Sequence, residues 1–402
     1  MTRHMTTAVV AVAVVLTAGA ARAQEPVARP GWTFTPSFGF SESYDDNVTL
    51  AGQTGFNPPD NTSNNDLISA YTPTADLTFV SRRTRLNAGY GGSLIDYRTF
   101  TIFNRWDQHA QVGLHRTETQ HLSWGVQGSL TLTPSTDTLD FDGIPFSHTG
   151  ARAVNARGTV EYKLTQRDSL STTLQGQQVT FDRPDELRPY LRGGETIESH
   201  TVYRRRVNAR LGAGGSYSLR LASSVDAPGR LPFHSTRASV DYQMSPSWTL
   251  SGGFGFDYIP ATMLTPAQSA PGYSASAAWS VRSQRFSVGY QRMFMPSFGY
   301  GVAVQMQEMA ASYYTPLLRS RRLYTTHSFS LRDNDPLIEA AGGLLRLRTM
   351  RFNSRIGWAP QPWVRVEGFY SRAQQRTFLV GGDISRNRLG VQIITSRPVR
   401  MQ

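Results

Sequence analysis

Long segments of alternating polarity recur along the chain and constrain its fold more than any other feature. Trp124–Leu132, Val154–Leu164 and Trp248–Tyr258 each carry apolar side chains at every second position, with polar or very small ones between them. Side chains alternate across a β-strand, so each segment is predicted to have one apolar and one polar face. The segments are about 9–13 residues long, as a tilted membrane-crossing strand requires, whereas soluble strands cluster near about five or six. The sequence therefore predicts an all-β protein, a single closed antiparallel transmembrane β-barrel, in preference to a soluble sandwich.

Aromatic residues stand at the ends of these apolar faces, at Trp124, Tyr162, Trp248 and Tyr258. Such residues concentrate where the hydrocarbon meets the lipid headgroups. After residue 23 no run of about 18 apolar residues occurs, which excludes a helical membrane protein. These features predict a location in the outer membrane of a Gram-negative bacterium.

Short and long connections alternate between the predicted strands. The short ones are Ser81–Arg83, Thr117–Thr119, Gln166–Asp168, Ser245–Ser247, Arg282–Gln284 and Ala359–Pro362. The long ones are roughly 44–66, 98–104, 134–150, 183–197, 225–235, 259–271, 333–343 and 377–386. Outer-membrane barrels have short periplasmic turns and long extracellular loops, and an even strand number. We predict about 18 strands, with 16 as the alternative, because residues 198–224 form either one long strand or two joined at Gly212–Gly215.

The N-terminus has the pattern of a signal peptide. Arg3 and His4 precede an apolar run, and Ala21–Ala23 fits the small-x-small cleavage pattern. We expect cleavage after residue 23, leaving residues 24–402 as the barrel domain. The chain has no Cys, which excludes disulfide scaffolds and thiolate metal sites.

The positive charge is spread along the whole chain. The net charge is +12 for the full sequence, and about +10 without Arg3 and Arg22 of the signal peptide. Lys163 is the only lysine. Because the arginines do not form one patch or helix, and because the chain carries an export signal, we expect no nucleic-acid partner.

Residues 32–97 resemble a known family. The opening segment Trp32–Val48, with Tyr44-Asp-Asp-Asn-Val, and the later segments Tyr71–Phe79 and Leu86–Tyr90 are similar to the β-barrel porin-2 group of outer-membrane proteins. Members of that group often accompany exopolysaccharide export systems. The resemblance implies a conduit for a glycan or for small polar solutes.

The C-terminus departs from the usual outer-membrane pattern. Leu389, Val391 and Ile393 alternate as a last strand should, but the chain ends with Arg397–Gln402 and not with a terminal aromatic residue. In many outer-membrane proteins the assembly machinery recognises such a terminal aromatic residue. The expected partners are outer-membrane lipid and lipopolysaccharide, the barrel assembly machinery and, through the resemblance, periplasmic polysaccharide-export components.

Arginines that alternate with apolar residues are the candidate site residues. An arginine that faces lipid near the midplane costs about 2–4 kcal/mol, so these side chains are predicted to face the lumen. The candidates are Arg204, Arg206, Arg210, Arg346, Arg348 and Arg365. A lumen lined with arginine attracts anions and repels cations. The alternative is a cross-linked interior without selectivity, in which these residues pair with Glu161, Asp241, Asp257 and Glu367.

No pattern in the sequence indicates a catalytic, cofactor or metal site. Asp45, Asp46 and Asn47 offer oxygen ligands suited to calcium, but they are also ordinary turn formers. Neither a G-x-S-x-G nor an H-E-x-x-H motif occurs. Two function classes follow: a porin-like conduit, for small anions or as an exopolysaccharide exit, and a structural or adhesive barrel plugged by its loops. Residues 44–66 and 134–150 are the candidate plugs, and a barrel hydrolase is a remote third reading.

Overall fold

The computed structural model describes residues 30–50, 64–135, 148–182, 193–224, 229–262, 266–297, 302–317, 322–337, 346–377 and 383–401. The expected signal peptide, residues 1–23, lies outside this part of the chain. One short 3-10 helix at Thr101–Phe103 accompanies the strands. In the described ranges no helix is long and apolar enough to cross a membrane.

Nineteen strand segments follow one another in chain order within these ranges. They are β1 Gly31–Asp45, β2 Asp66–Val80, β3 Thr84–Tyr97, β4 Arg105–Thr117, β5 Leu122–Thr133, β6 Gly150–Lys163, β7 Asp168–Asp182, β8 Gly194–Arg206, β9 Leu211–Ser224, β10 Leu231–Ser245, β11 Trp248–Ile259, β12 Gln268–Val281, β13 Gln284–Ser297, β14 Val302–Pro316, β15 Leu323–Pro336, β16 Leu347–Gln361, β17 Val364–Thr377, β18 Asp383–Ser396 and β19 Val399–Met401.

The sheet closes on itself. Each strand pairs antiparallel with its neighbours in sequence, and β1 pairs on one side with β2 and on the other with β18 and β19. β18 and β19 are two parts of one crossing, separated at Pro398. The fold is therefore a closed antiparallel barrel of 18 strands, as predicted. Closure satisfies the backbone polar groups that an open edge would leave unpaired in lipid.

Polar side chains at the start of several short turns fix the chain reversals. The Thr119 hydroxyl accepts hydrogen bonds from the amides of His121 and Leu122, at 3.1 and 3.0 Å. Asn208 does the same between β8 and β9, where its Oδ1 accepts from the amides of Arg210 and Leu211 at 2.8 and 2.9 Å. Such side chains replace the missing ladder partners of a turn.

The β8–β9 turn corrects one prediction. The turn lies at residues 207–210, whereas Gly212–Gly215 lie inside β9 and pair with both β8 and β10. The expected join at Gly212–Gly215 is therefore wrong, although the two-strand alternative for this segment is right. Asn208, whose side chain accepts two hydrogen bonds within the turn, is the residue that marks its position in the sequence.

The two ends of the barrel differ in their connections. We call the end with the short turns the turn end and the opposite end the loop end. In β11 the side chains of Leu250, Phe254 and Phe256 are exposed on the outer face, whereas Asp257 and Ile259 are buried on the inner face. An apolar outer face around a closed barrel is the architecture of outer-membrane barrels, in which the turn end is periplasmic.

The polarity of the two faces is reversed at the loop end. There the inner face carries buried apolar residues such as Ile259, Leu347 and Ile384. The outer face of the same region carries charged residues such as Arg348, which pairs with Asp333. Apolar side chains can face inward here because segments of the chain fold into the lumen and cover them.

Candidate functional site in the barrel lumen

The loop-end part of β13 separates from β12 and packs inside the barrel against β9, β10 and β11, whereas β14 stays paired with β15 as far as Val304. β12 stops pairing with β13 at Arg292, whereas β13 and β14 remain paired to their ends. Beyond that point the amide of Phe294 donates a 3.2 Å hydrogen bond to the carboxylate of Asp257, which lies on the inner face of β11. We call residues 292–297 and 302–307 the inner hairpin.

One apolar cluster attaches the inner hairpin to the wall, and a second lies within the hairpin itself. Phe294 is only 6% exposed and belongs to a buried cluster completed by Ala222, Phe233, Ile259 and Ala303. The first three of these come from the inner faces of β9, β10 and β11. A second buried cluster consists of Met295, Val304 and Met306. The hairpin therefore docks through side-chain packing and narrows the loop end of the lumen.

A buried ion pair joins the wall to the inner hairpin. Arg237 of β10 donates to Asp257 of β11 at 2.9 Å and to the backbone carbonyl of Arg292 at 3.4 Å. Gly272 of β12 makes room for the pair, because a Cβ there would lie 2.5 Å from the Arg237 guanidinium and 2.6 Å from the Asp257 carboxylate. The carboxylate of Asp257 compensates the charge of Arg237. This arginine therefore helps to hold the inner hairpin and adds no free positive charge to the lumen.

The segment that follows β1 also folds into the lumen, from the part of the wall formed by β2, β3 and β18. Val48 is 0% exposed and packs in a cluster with Ile68, Ile95 and Tyr97. Leu50 is 3% exposed and packs against Ile384. These contacts bury Val48 and Leu50 of the candidate plug 44–66. Residues 51–63 and 136–147 of the candidate plugs lie outside the described residues.

The acidic cluster at the end of β1 anchors this inward segment. Asp45 is fully buried and accepts a 2.7 Å hydrogen bond from Nε of Arg386. Asp46 accepts a 2.6 Å hydrogen bond from the backbone amide of Asn387. Asn47 donates through its side chain to the backbone carbonyl of Ser385 at 2.9 Å. Both carboxylates thus face donors from β18, and no group of three or more acidic or histidine side chains suited to a metal is found within the described ranges.

Three candidate arginines lie at the turn end. Arg204 shares the inner face of β8 with Arg206, and its Nε lies 3.6 Å from the carboxylate of Asp241 on β10. Arg206 is the last residue of β8, and Arg210 lies in the following turn. They do not form a ladder along one strand. They lie around the turn-end mouth, which is periplasmic in this architecture.

Arg365 lies on the inner face of β17, where it is paired. Its Nε lies 3.2 Å from Oε1 of Glu367, which also accepts a 2.6 Å hydrogen bond from the Tyr324 hydroxyl. Nη1 of Arg355 lies farther away, at 3.8 Å from the other oxygen. Glu367 is buried, so its charge is compensated mainly by Arg365. Here the alternative of a cross-linked interior is realised.

The predicted lumen position of Arg346 and Arg348 is wrong. Arg348 shares the face of β16 that carries the exposed Ile356 and Trp358, and it pairs with Asp333 on β15. Arg346 forms a 2.8 Å ion pair with Asp335. Both arginines lie on the outer face at the loop end, beyond the apolar belt, where a charge meets water and headgroups and carries no hydrocarbon penalty.

Other ion pairs cross-link the inner wall, including Arg220–Glu198 at 2.6 Å and Arg332–Glu308 at 2.8 Å.

Three further arginines lie on the inner wall, although the sequence analysis did not select them. They are Arg85 on β3, Arg157 on β6 and Arg285 on β13. In the part of the chain that the structure describes, none of the three forms an ion pair within 4.0 Å. The signal that could have found them is their alternation with outward apolar neighbours such as Leu86 and Phe286.

A cavity of about 430 Å³ opens on the inner wall near the turn end, between β13 and β16. Arg285, Tyr314, Thr326 and Arg355 stand in one row across its floor, each paired in register with the next. Ser312, Ser328 and Asn353 also line it. The cavity thus offers two guanidinium groups with hydroxyl, amide and aromatic groups between them.

No protein-family model matches this sequence, and no curated protein matches it. Solved structures with a similar overall arrangement include OccAB4 of Acinetobacter baumannii, with a TM-score of 0.46, 10% identity and coverage of 93% of this chain and 100% of that one. OpdK of Pseudomonas aeruginosa with vanillate gives 0.47, 10%, 91% and 99%, and the siderophore receptor PirA of the same organism gives 0.45, 8%, 90% and 80%. At these values the similarities assign neither a family nor a substrate to this chain.

Proposed function

We propose that the protein is a passive conduit for small anionic solutes across the outer membrane. The observation that carries the proposal is the presence of Arg85, Arg157 and Arg285 on the inner wall without a carboxylate partner among the described residues. Fixed positive charges along a narrow aqueous path concentrate anions, and low-dielectric walls focus their field. An 18-stranded barrel is wide enough for such a path between the inward-folded segments.

The test is ion selectivity in a planar bilayer. We expect a reversal potential that shows anion preference across a salt gradient, and a smaller preference in the triple variant Arg85→Gln, Arg157→Gln, Arg285→Gln. The matched control neutralises three outer-face arginines and should leave the reversal potential unchanged. They are Arg346, Arg348 and Arg152, an exposed residue of β6 on the same face as the exposed Val160 and Tyr162. The preference should fade near 1 M salt, where the screening length is about 3 Å. Cation preference in the wild type would refute the proposal, as would equal values in the two triple variants.

A loop-plugged structural or adhesive barrel is the second candidate. It is favoured by the inner hairpin and the segment around Val48, which enter the loop end from different parts of the wall and bury apolar side chains there. A barrel that assembles but carries no ion current would favour this function.

An exopolysaccharide exit, which the sequence resemblance implies, requires the same inward segments to move aside. Only a polysaccharide exit would require the protein to bind periplasmic export components.

A further inference from the structure

We propose that the turn-end cavity between β13 and β16 binds an elongated organic dianion, with one carboxylate at Arg285 and the other at Arg355. An aliphatic dicarboxylate is the simplest such solute. The inference rests on the proposed function for the route by which the solute arrives. Its binding site is defined by the geometry of the cavity itself.

The spacing of the two arginines selects a long ligand. Arg285 and Arg355 are separated by Tyr314 and Thr326 in a row of directly paired residues. Neighbouring strands lie about 4.8 Å apart, so the two backbones are roughly 14 Å apart along the wall. A guanidinium binds a carboxylate through two parallel hydrogen bonds. One small carboxylate cannot span this distance, whereas a chain with a carboxylate at each end can reach toward both.

Both guanidinium groups keep hydrogen-bonding capacity for a ligand. Arg285 is exposed to the lumen and forms no ion pair within 4.0 Å in the described ranges. Arg355 is 55% exposed at its side chain and lies 3.8 Å from Glu367, which is held more closely by Tyr324 and Arg365. The charge of Arg355 is therefore only partly compensated, and its remaining donors face the cavity.

The cavity floor fits the middle of such a ligand. Ser312, Thr326, Ser328 and Asn353 supply hydrogen-bonding groups, and Tyr314 supplies an aromatic surface. No carboxylate lines the cavity among the residues that the structure describes. A cation would therefore meet two arginines and no carboxylate in the lining, whereas a dianion would compensate both arginines.

Calorimetric titration of the detergent-solubilised, folded barrel tests the site without requiring conduction. The probes are adipate, malonate and hexanoate at constant ionic strength. Adipate should bind at least about tenfold more tightly than the other two, because malonate carries the same charge but is too short and hexanoate has one carboxylate. Arg285→Gln and Arg355→Gln should each remove this preference, whereas Arg152→Gln, on the outer face, should keep it. Heat-modifiable gel mobility confirms that each variant is folded.

Equal affinities for adipate and malonate would overturn the proposal, and so would a wild-type preference in Arg285→Gln or Arg355→Gln. The two proposals fail separately. A barrel that binds adipate selectively but carries no current refutes the conduit and leaves the site standing. A barrel that conducts anions but treats the three probes alike refutes the site and leaves the conduit standing.

Discussion

Releasing the inner hairpin should widen the channel, and Phe294→Ala is the most direct way to release it. Phe294 is 6% exposed and packs against side chains from three wall strands. Its backbone amide also donates to Asp257, and the substitution leaves that hydrogen bond intact. The variant therefore removes side-chain packing alone.

The size of the effect follows from the burial. Truncating a buried phenylalanine to alanine destabilises the packed state by about 3–5 kcal/mol. We take about 3 kcal/mol for the docking of the inner hairpin, because it borders the lumen. Each 1.4 kcal/mol changes an equilibrium about tenfold, so the ratio of docked to released hairpin should fall roughly 100-fold. The barrel wall keeps its own pairing, because β12–β13 pairing on the turn-end side of Arg292 does not involve Phe294.

Single-channel recording measures the outcome. We expect a larger conductance, or more frequent transitions to a larger conductance, in Phe294→Ala than in the wild type. Phe254→Ala is the matched control, because Phe254 is 57% exposed on the outer face of β11. An assembled Phe294→Ala barrel with the conductance of the wild type would show that the inner hairpin does not limit the path. A change of the same size in Phe254→Ala would point to a general loss of barrel integrity.

Three further predictions concern the barrel itself. The mature protein should require detergent for extraction and change its gel mobility on boiling, because a closed barrel resists SDS; identical mobility and recovery in the soluble periplasmic fraction would refute the membrane location. Val126→Arg should block assembly while Gln127→Arg is tolerated, because Val126 is 51% exposed on the outer face and arginine costs about 2–4 kcal/mol near the midplane; heat-modifiable mobility distinguishes the two, and equal assembly would reverse the assigned faces. Arg386→Ala should lower the free energy of unfolding by about 3 kcal/mol in urea, because the buried Asp45 loses its closer guanidinium and keeps only Arg388, at 3.4 Å. Arg376→Ala, which removes an exposed partner of Asp383, should change it by less than about 1 kcal/mol, and equal losses would contradict the anchoring role of Asp45.

The sequence predicted the barrel because period-two polarity is a local property of each strand. The outward side chains of β5 and β11 could be assigned from their own residues, since lipid selects apolar groups at every second position. The strand number followed from the alternation of short and long connections. The β8–β9 turn was misplaced because the apolar–polar alternation continues through Val207 and Ala209, and only Asn208 marks the reversal.

The tertiary structure decided the interior. Arg346 and Arg348 were assigned to the lumen by the same alternation rule that succeeds in the apolar belt, but the rule reverses at the loop end, where the outer face meets water and the inner face is covered by the inner hairpin and the segment after β1. The row from Arg285 to Arg355 depends on the register of four strands, and register is set by pairing between segments distant in sequence. Sequence polarity thus determined which face of each strand meets lipid. Which arginines face the lumen, and which of them keep their charge, depended on contacts across the barrel that no single strand encodes.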